Sequence, residues 1–215
     1  MRRTKEEAMR TRMSIMESAL DIFSAKNFAN VSVAEITSRI GLSKGAFYWH
    51  FKNKQDVLIK IVEEFCVGDS DKYMGFCGTS PESVGSLRGY MKEALARLRS
   101  EERWQKLHKL MVRRHEWPEE IQRLVRDILR DAAQRDVRQL ETYIAAHQKN
   151  GNIRESLSAH KAAVLLVSIF YGVGMSQLAG TLPDEFPECL DILFDALAKE
   201  FRGRARGVNG RQSAL

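Results

Sequence analysis

Apolar residues recur every three or four positions along most of the chain, which predicts amphipathic α-helices rather than strands. Between Ser32 and Phe51 the pattern breaks at Gly41, because glycine readily adopts the left-handed conformation that ends a helix. Ser32 and Ser43 are placed to cap the helices on either side, and Glu35 would complete a capping box with Ser32. This stretch therefore predicts a helix-turn-helix.

The second helix of this pair, Lys44–His50, has two unlike faces. Phe47 and Phe51 are four residues apart and can both point into a core. The other face combines a cation, polar-tipped aromatic side chains and a position without a side chain: Lys44, Gly45, Tyr48 and Trp49. In a helix-turn-helix that binds DNA, the second helix enters the major groove. From the pattern alone, an ordinary helix pair in an all-α protein remains the alternative.

The residues of this stretch also carry a family resemblance. The run GLSKGAFYWHFKNKQDVL, residues 41–58, closely resembles the recognition region of the TetR family of bacterial transcriptional repressors. The resemblance is strong over about Thr4 to Phe65, and the opening RRTKEEAMRTR is most similar to the drug-efflux-pump repressors of that family. It implies a homodimer on a near-palindromic operator in double-stranded DNA, released by a small apolar or cationic effector. The expected DNA-binding residues are Ser32, Ser43, Lys44, Gly45, Ala46, Tyr48, Trp49, His50 and Lys54.

The distribution of charge agrees with a DNA-binding end. Residues 1–60 contain eleven Lys and Arg against six Asp and Glu, whereas the remaining residues contain 23 against 22. Most of the formal net charge of +6 therefore accompanies the helix-turn-helix.

The pattern as a whole predicts an all-α fold of about nine helices. We expect an N-terminal helix-turn-helix domain over residues 1–52, a ligand-binding and dimerisation bundle over 53–202, and a disordered tail over 203–215. A glycine- and serine-rich stretch, 66–86, is the expected linker. The predicted helices outside the helix-turn-helix pair are Met13–Lys26, Asn53–Phe65, Leu87–Ser100, Glu102–Trp117, Glu119–Asn150, Ser158–Ala179 and Pro187–Arg202.

One helix is apolar on most of its faces, because no charged residue occurs from Ala162 to Pro183. A dimer interface is the favoured interpretation, and an internal core or a membrane segment are the alternatives. The expected interface residues are Ala163, Ser168, Phe170, Gly172, Leu190 and Phe194.

No catalytic motif is present in the sequence, and its histidines and cysteines do not have metal-ligand spacing. The resemblance instead implies a ligand cavity in the second domain. Aromatic, soft and titratable residues would line it, with Glu116 as counter-charge to a cation. Core packing is the alternative for each of these residues. The expected ligand-binding residues are Phe65, Trp104, His108, Met111, His115 and Glu116.

These observations predict a cytoplasmic, non-enzymatic regulator without cofactor or metal and without membrane attachment. Two other classes of function stay open at this point. One is a helical interaction or membrane-surface protein that does not bind DNA sequence-specifically. The other is a small-molecule enzyme using the region of His108 and His115, which lacks a nucleophile and base pair.

Overall fold

The computed structural model describes residues 4–68, 101–183 and 185–201, with residues 88, 89, 92, 93, 96, 99 and 100 between them. The side chains at 178, 187, 198, 200 and 201 lie outside this description, as do the predicted tail and most of the predicted linker and of the predicted helix 87–100. All regular structure in the described ranges is helical, which confirms the all-α prediction. Its eight α-helices are α1 (Lys5–Ala25), α2 (Val33–Ser38), α3 (Lys44–His50), α4 (Lys54–Ile61), α5 (Glu102–Val112), α6 (Glu119–Lys149), α7 (Ala159–Leu178) and α8 (Phe186–Phe201).

Helix α1 begins eight residues earlier than the predicted start at Met13. A complete capping box explains the early start: the Thr4 side chain accepts from the Glu7 amide, and the Glu7 carboxylate accepts from the Thr4 amide at 2.9 Å. Two of the orphan amides at the helix start are thereby satisfied. The basic N-terminal segment from Lys5 onward is therefore helical.

The helix-turn-helix follows the predicted local rules at both ends of its turn. The Ser32 hydroxyl accepts from the Glu35 amide at 3.1 Å, and the Ser43 hydroxyl accepts from the Ala46 amide at 3.2 Å. Gly41 has φ +67°, where a Cβ would be strained even though no atom lies in its way. The expected capping box is only half formed, because the Glu35 carboxylate binds the Lys26 ammonium at 2.5 Å instead.

Helix α4 begins as predicted and ends in an unusual way. Asn53 caps it by accepting from the Asp56 amide at 2.8 Å. Beyond Ile61 the chain widens into a π-helix, Val62–Val67, which contains the first residues of the predicted linker. Glu64 on this segment makes a two-point ion pair with Arg12 of α1. The ion pair therefore fixes the far end of α4 against α1.

The predicted helix Glu102–Trp117 is two elements rather than one. Helix α5 ends at Val112, and residues Arg113–Glu116 form a 3₁₀-helix. Side chains three residues apart are aligned in a 3₁₀-helix, and Arg113 and Glu116 pair across this spacing at 3.1 Å. Trp117 is extended, as the residue before a proline prefers to be.

The three remaining helices end close to their predicted positions. Gly151 and Gly180, with φ +77° and +66°, follow the C-termini of α6 and α7. The Ser158 hydroxyl caps α7 by accepting from the Lys161 amide at 3.3 Å.

Two hydrophobic clusters hold these helices together. The first joins α1 to α4 and the π-helix with Leu107 and Leu110 of α5, Trp117, and the start of α6. The second joins the end of α6 with α7 and α8. Trp104 of α5 packs against both clusters. The predicted division at residue 52 stays a prediction, since the first cluster continues from the helix-turn-helix into α5 and α6.

By length and composition, one helix within the described residues meets the criterion for a membrane-spanning segment: Ala159–Gln177, with a mean hydropathy of 1.3. One face of this helix lies in the second cluster, where Ala163 and Leu166 are buried. A helix that packs within a soluble bundle meets the same criterion, so this segment alone is weak support for a membrane role.

Candidate functional site

The outer face of α3 is the strongest candidate for a binding surface. Phe47 is fully buried and Phe51 is nearly so, which anchors α3 from the inside. On the outside, Tyr48 is 56% exposed and Trp49 is 74% exposed, with Lys44 also exposed. The fold thus presents a cation and two large aromatic side chains to solvent on one short helix.

The residues around the start of α3 leave its backbone accessible. Ser43 and Gly45 are exposed, Ala46 is half-buried, and Ser32 is exposed at the start of α2. A Cβ at Gly45 would meet only the Ser43 hydroxyl, at 3.7 Å, so the fold itself does not demand glycine there. A partner that approaches the backbone closely would explain it.

The Lys54 ammonium binds backbone carbonyls of the chain itself. Its nitrogen lies 2.8 Å from the Phe28 carbonyl oxygen, 3.0 Å from that of Ala29 and 2.8 Å from that of Val31. It also lies 4.7 Å from the centre of the Phe28 ring. Three acceptors match the three N–H donors of an ammonium group. Partial burial lowers the pKa of Lys54.

His50 is half-buried rather than presented with Tyr48 and Trp49. Its ring packs edge-on against Trp49, with 4.9 Å between the ring centres. It also lines a groove of about 390 Å³ together with residues of α1 and the π-helix. The other residues lining this groove are Lys5, Ala8, Met9, Arg12, Met13 and Glu64. None of the predicted ligand-binding residues is among them.

Three of the predicted ligand-binding residues share one half-buried face of α5. Trp104, His108 and Met111 follow one another at helical spacing. Trp104 and Met111 pack against the first cluster, and Trp104 reaches the second cluster as well. Burial lowers the pKa of His108, which favours the neutral imidazole. The chemistry of this face is therefore aromatic, soft and uncharged.

The other three predicted ligand-binding residues do not join this face. Phe65 is buried in the first cluster beneath the Arg103 guanidinium, 4.8 Å from its ring centre. His115 is exposed on the 3₁₀-helix, with Nδ1 3.2 Å from the Val112 carbonyl oxygen. Glu116 is paired with Arg113, so the structure does not hold it ready as counter-charge for a ligand.

A buried acid that the sequence reasoning missed lies on α6. Asp136 is only 2% exposed, and it accepts a hydrogen bond from the Tyr171 hydroxyl of α7 at 2.7 Å. The sequence does carry a signal for it, because Asp136 stands four residues after Ala132 and four before Leu140 on the apolar stripe of α6. A carboxylate at a core position is the unusual feature that marks a candidate site.

The predicted dimer-interface residues divide between two faces. Ala163, Leu190 and Phe194 are buried in the chain's own second cluster, so they lie inside the bundle and not on its surface. Phe170 is half-buried against the same cluster. Ser168 and Gly172 are exposed on the outer face of α7. The sequence pattern leaves this division open, because α7 is apolar on most faces and the pattern does not indicate which face turns inward.

Within the described ranges, no group of three His, Cys, Asp or Glu side chains is placed to hold a metal ion.

Comparison with known proteins extends these observations. Residues 15–61 match the bacterial regulatory proteins of the tetR family. The chain is 29% identical over 178 residues to the HTH-type transcriptional regulator AcrR of Shigella flexneri, and the match covers 80% of each chain.

Two solved structures show the same fold at lower identity. The SmeT–triclosan complex has a TM-score of 0.69 and 24% identity, over 96% of this chain and 98% of that one. NalD of Pseudomonas aeruginosa, described as the secondary repressor of the MexAB-OprM multidrug efflux pump, has a TM-score of 0.68 and 20% identity. That match covers 94% of this chain and 100% of NalD.

The matched segment 15–61 runs from within α1 to the end of α4, so it contains the helix-turn-helix described above. The similarity to AcrR and the two shared folds extend through the helical body. The resemblance seen in the sequence is confirmed: the helix-turn-helix segment matches the bacterial regulatory proteins of the tetR family, and over most of its length the chain is similar to the transcriptional regulator AcrR.

Proposed function

We propose that this chain is a ligand-responsive transcriptional repressor that binds a near-palindromic operator as a homodimer. The observation that carries the proposal is the outer face of α3, where Lys44, Tyr48 and Trp49 are exposed together on a helix anchored by Phe47. Exposed aromatic rings are unfavourable in water, and a cation beside them attracts a polyanion. The face is therefore better suited to binding a polyanion than to remaining in water.

In the proposed complex, α3 lies in the major groove. Lys44 contacts a base edge or a phosphate, and Gly45 lets the backbone approach. Tyr48 and Trp49 hold phosphates, which fix the register of the protein on the duplex, while base contacts provide sequence choice. The excess of Lys and Arg over residues 1–60 supports this orientation.

For Lys54 we propose a positioning role instead of the phosphate contact expected from the resemblance. Its ammonium binds the carbonyls of Phe28 and Ala29 in the turn Phe28–Asn30 and that of Val31, directly before the Ser32 cap of α2. It thereby holds the start of α2 against the start of α4. The lysine acts on DNA binding through the geometry of the helix-turn-helix.

We propose that two copies associate through the outer faces of α7 and α8. On α7, Val164, Leu165 and Met175 are exposed, with the small residues Ser168 and Gly172 between them. On α8, Ile192 is 72% exposed. Apolar side chains around small residues permit close crossing of helices in a dimer. A dimer also places two copies of α3 on successive turns of a palindromic site.

We propose that the effector binds where α5 meets the second cluster. Trp104 packs against both clusters, and the face it shares with His108 and Met111 suits an apolar or aromatic compound. Asp136, buried under the Tyr171 hydroxyl, supplies the negative charge that a cationic effector needs. Triclosan in the SmeT complex and the efflux pump that NalD represses support a drug-like effector and an efflux system as the regulated target.

We further propose that the chain acts without catalysis and in the cytoplasm. The relatives it matches are transcriptional regulators, which supports both statements.

The role of α3 predicts the effect of removing its exposed groups. Lys44→Ala with Tyr48→Ala is expected to weaken binding to the operator fragment selected from genomic DNA by roughly 100-fold or more, because each such contact contributes about 1–3 kcal/mol. Fluorescence anisotropy of the labelled fragment measures the loss. Lys149→Ala, which removes an exposed lysine from α6, is the control and should bind normally. Undiminished sequence-specific binding by the double variant would refute the assignment of α3.

The positioning role of Lys54 predicts an unchanged salt dependence. Lys54→Met should weaken operator binding and lower the free energy of unfolding by about 1–3 kcal/mol, because the part-buried carbonyls of Phe28 and Val31 lose their donor. The slope of log K against log salt should stay as in the wild type, whereas loss of a phosphate contact lowers it by about 0.9. Lys44→Met is the comparison, with a reduced slope and normal stability. A reduced slope for Lys54→Met would show that Lys54 contacts a phosphate and would refute the positioning role.

The outer stripe of α7 predicts which residues hold the dimer. Leu165→Glu with Met175→Glu should give a folded monomer in sedimentation velocity, since two carboxylates cannot be buried unpaired between the copies. Leu124→Glu, at an exposed leucine of α6, is the matched control and should leave the dimer intact. A dimer that survives both substitutions on α7 would place the interface elsewhere.

The junction at Trp104 predicts how effectors release DNA. Triclosan and tetraphenylphosphonium, as apolar and cationic probes, should each release the operator fragment from the wild type. Trp104→Leu should abolish both responses with normal DNA affinity, and Asp136→Asn should abolish only the response to the cation, because a neutral amide cannot balance its charge. Trp117→Phe is the control. A full response to both probes in the two test variants would rule out this site.

A further inference from the structure

Two acids of α1 face two bases of α5. Glu17 and Asp21 are four residues apart on one face of α1, and Arg103 and Lys106 are three apart on one face of α5. Arg103 binds Glu17 at 2.9 Å, and Lys106 binds Asp21 at 2.7 Å. The two ion pairs therefore join α1 and α5 in parallel, because the later acid of α1 binds the later base of α5.

Asp21 differs from Glu17 because it binds a second cation from the other side. Its Oδ1 accepts from Lys106, while its Oδ2 accepts from the Arg39 guanidinium at 2.9 Å. Arg39 is the C-cap of α2, two residues before Gly41 and the turn that leads to α3. One carboxylate thus connects the helix-turn-helix directly to α5.

The opposite end of this connection lies next to the junction of the two clusters. Lys106 is two residues from Trp104, and it also binds Glu102 of its own helix at 2.7 Å. Its hydrogen bond to Asp21 is the main cause of its raised pKa. Because α5 is rigid over this distance, a displacement at Trp104 moves the Lys106 ammonium and with it the Asp21 carboxylate.

We infer that Asp21 is the positioning residue that transmits the state of α5 to the helix-turn-helix, through Lys106 on one side and Arg39 on the other. The inference rests on the proposed function and names the contact through which effector and operator influence each other. Asp21 lies outside both the proposed DNA-binding face and the proposed effector site. Its substitution should therefore change the coupling between the two sites more than the affinity of either one.

Global stability is a poor readout for this role. The side chains of Asp21, Arg39 and Lys106 are 27%, 55% and 28% exposed, and ion pairs at such positions are screened by solvent and contribute little to stability. The apolar contact of Leu107 and Leu110 with the first cluster also holds α5 in place without these ion pairs. If Asp21 only stabilised the fold, its substitution would leave the response of α5 to operator binding intact.

The test follows hydrogen exchange of the α5 amides with and without the operator fragment that the wild-type chain selects. In the wild type, operator should slow exchange over Trp104–Val112 by roughly 5–150-fold, the range of ordinary allosteric coupling. In Asp21→Asn, which preserves shape and removes charge, the effect should fall below about twofold. Lys106→Met and Arg39→Met should each give the same loss, and combining them should add nothing, because they act in series.

Asp127→Asn is the matched control, since Asp127 pairs with Arg130 within α6 and should leave the effect unchanged. If operator slows exchange in Asp21→Asn as in the wild type, or fails to slow it in the wild type, the inference is overturned and the proposed function stands. If the wild-type chain selects no DNA fragment, the proposed function fails and the inference fails with it.

Discussion

The first hydrophobic cluster is shared by the helix-turn-helix and the helices that follow it, and their arrangement depends on it. A helix-turn-helix of this length is too small to bury enough apolar surface alone, and its core continues into Leu107, Leu110 and Trp117. Helix α3, which carries the proposed DNA-binding face, and helix α5, which carries the proposed effector site, are therefore packed on the same side chains. A close-packed interior resists gradual deformation, so that a shift of α5 has to be matched by the helices beneath it. In the proposed function, packing is the first link between the effector site and the DNA-binding face, and the ion pairs of Asp21 are the second.

The fold could be predicted from the sequence wherever neighbouring residues decide the structure. The caps at Ser32 and Ser43 and the turn at Gly41 depend on residues at most four positions away, and all of them are found as predicted. The early start of α1 rests on an equally local capping box, which was overlooked. The division of Glu102–Trp117 was not predicted, because a change from α to 3₁₀ geometry does not alter the apolar pattern.

For the site residues, the sequence predicts which face of its own helix a residue lies on, but not which other helix its side chain contacts. The exposed face of α3 follows from the helical spacing of its apolar residues. The group that the end of a long side chain contacts depends on tertiary structure. The Lys54 ammonium turns to carbonyls more than twenty residues away, and Asp136 meets a hydroxyl thirty-five residues away. Likewise, the uncharged stretch that begins at Ala162 predicts an interface helix without indicating that Ala163 faces inward and Leu165 outward. These choices are made by the neighbouring helices.

The π-helix after Ile61 has a consequence for how this chain tolerates change. A π-helix corresponds to one residue inserted into an α-helix, and it rotates everything beyond it by about 100° relative to a regular continuation. With this geometry Glu64 meets Arg12 and Phe65 enters the core. Deletion of a single residue between Val62 and Val67 would leave a smoother helix whose side chains are out of phase with α1. Sequence length, as much as residue identity, is therefore fixed at this point of the chain.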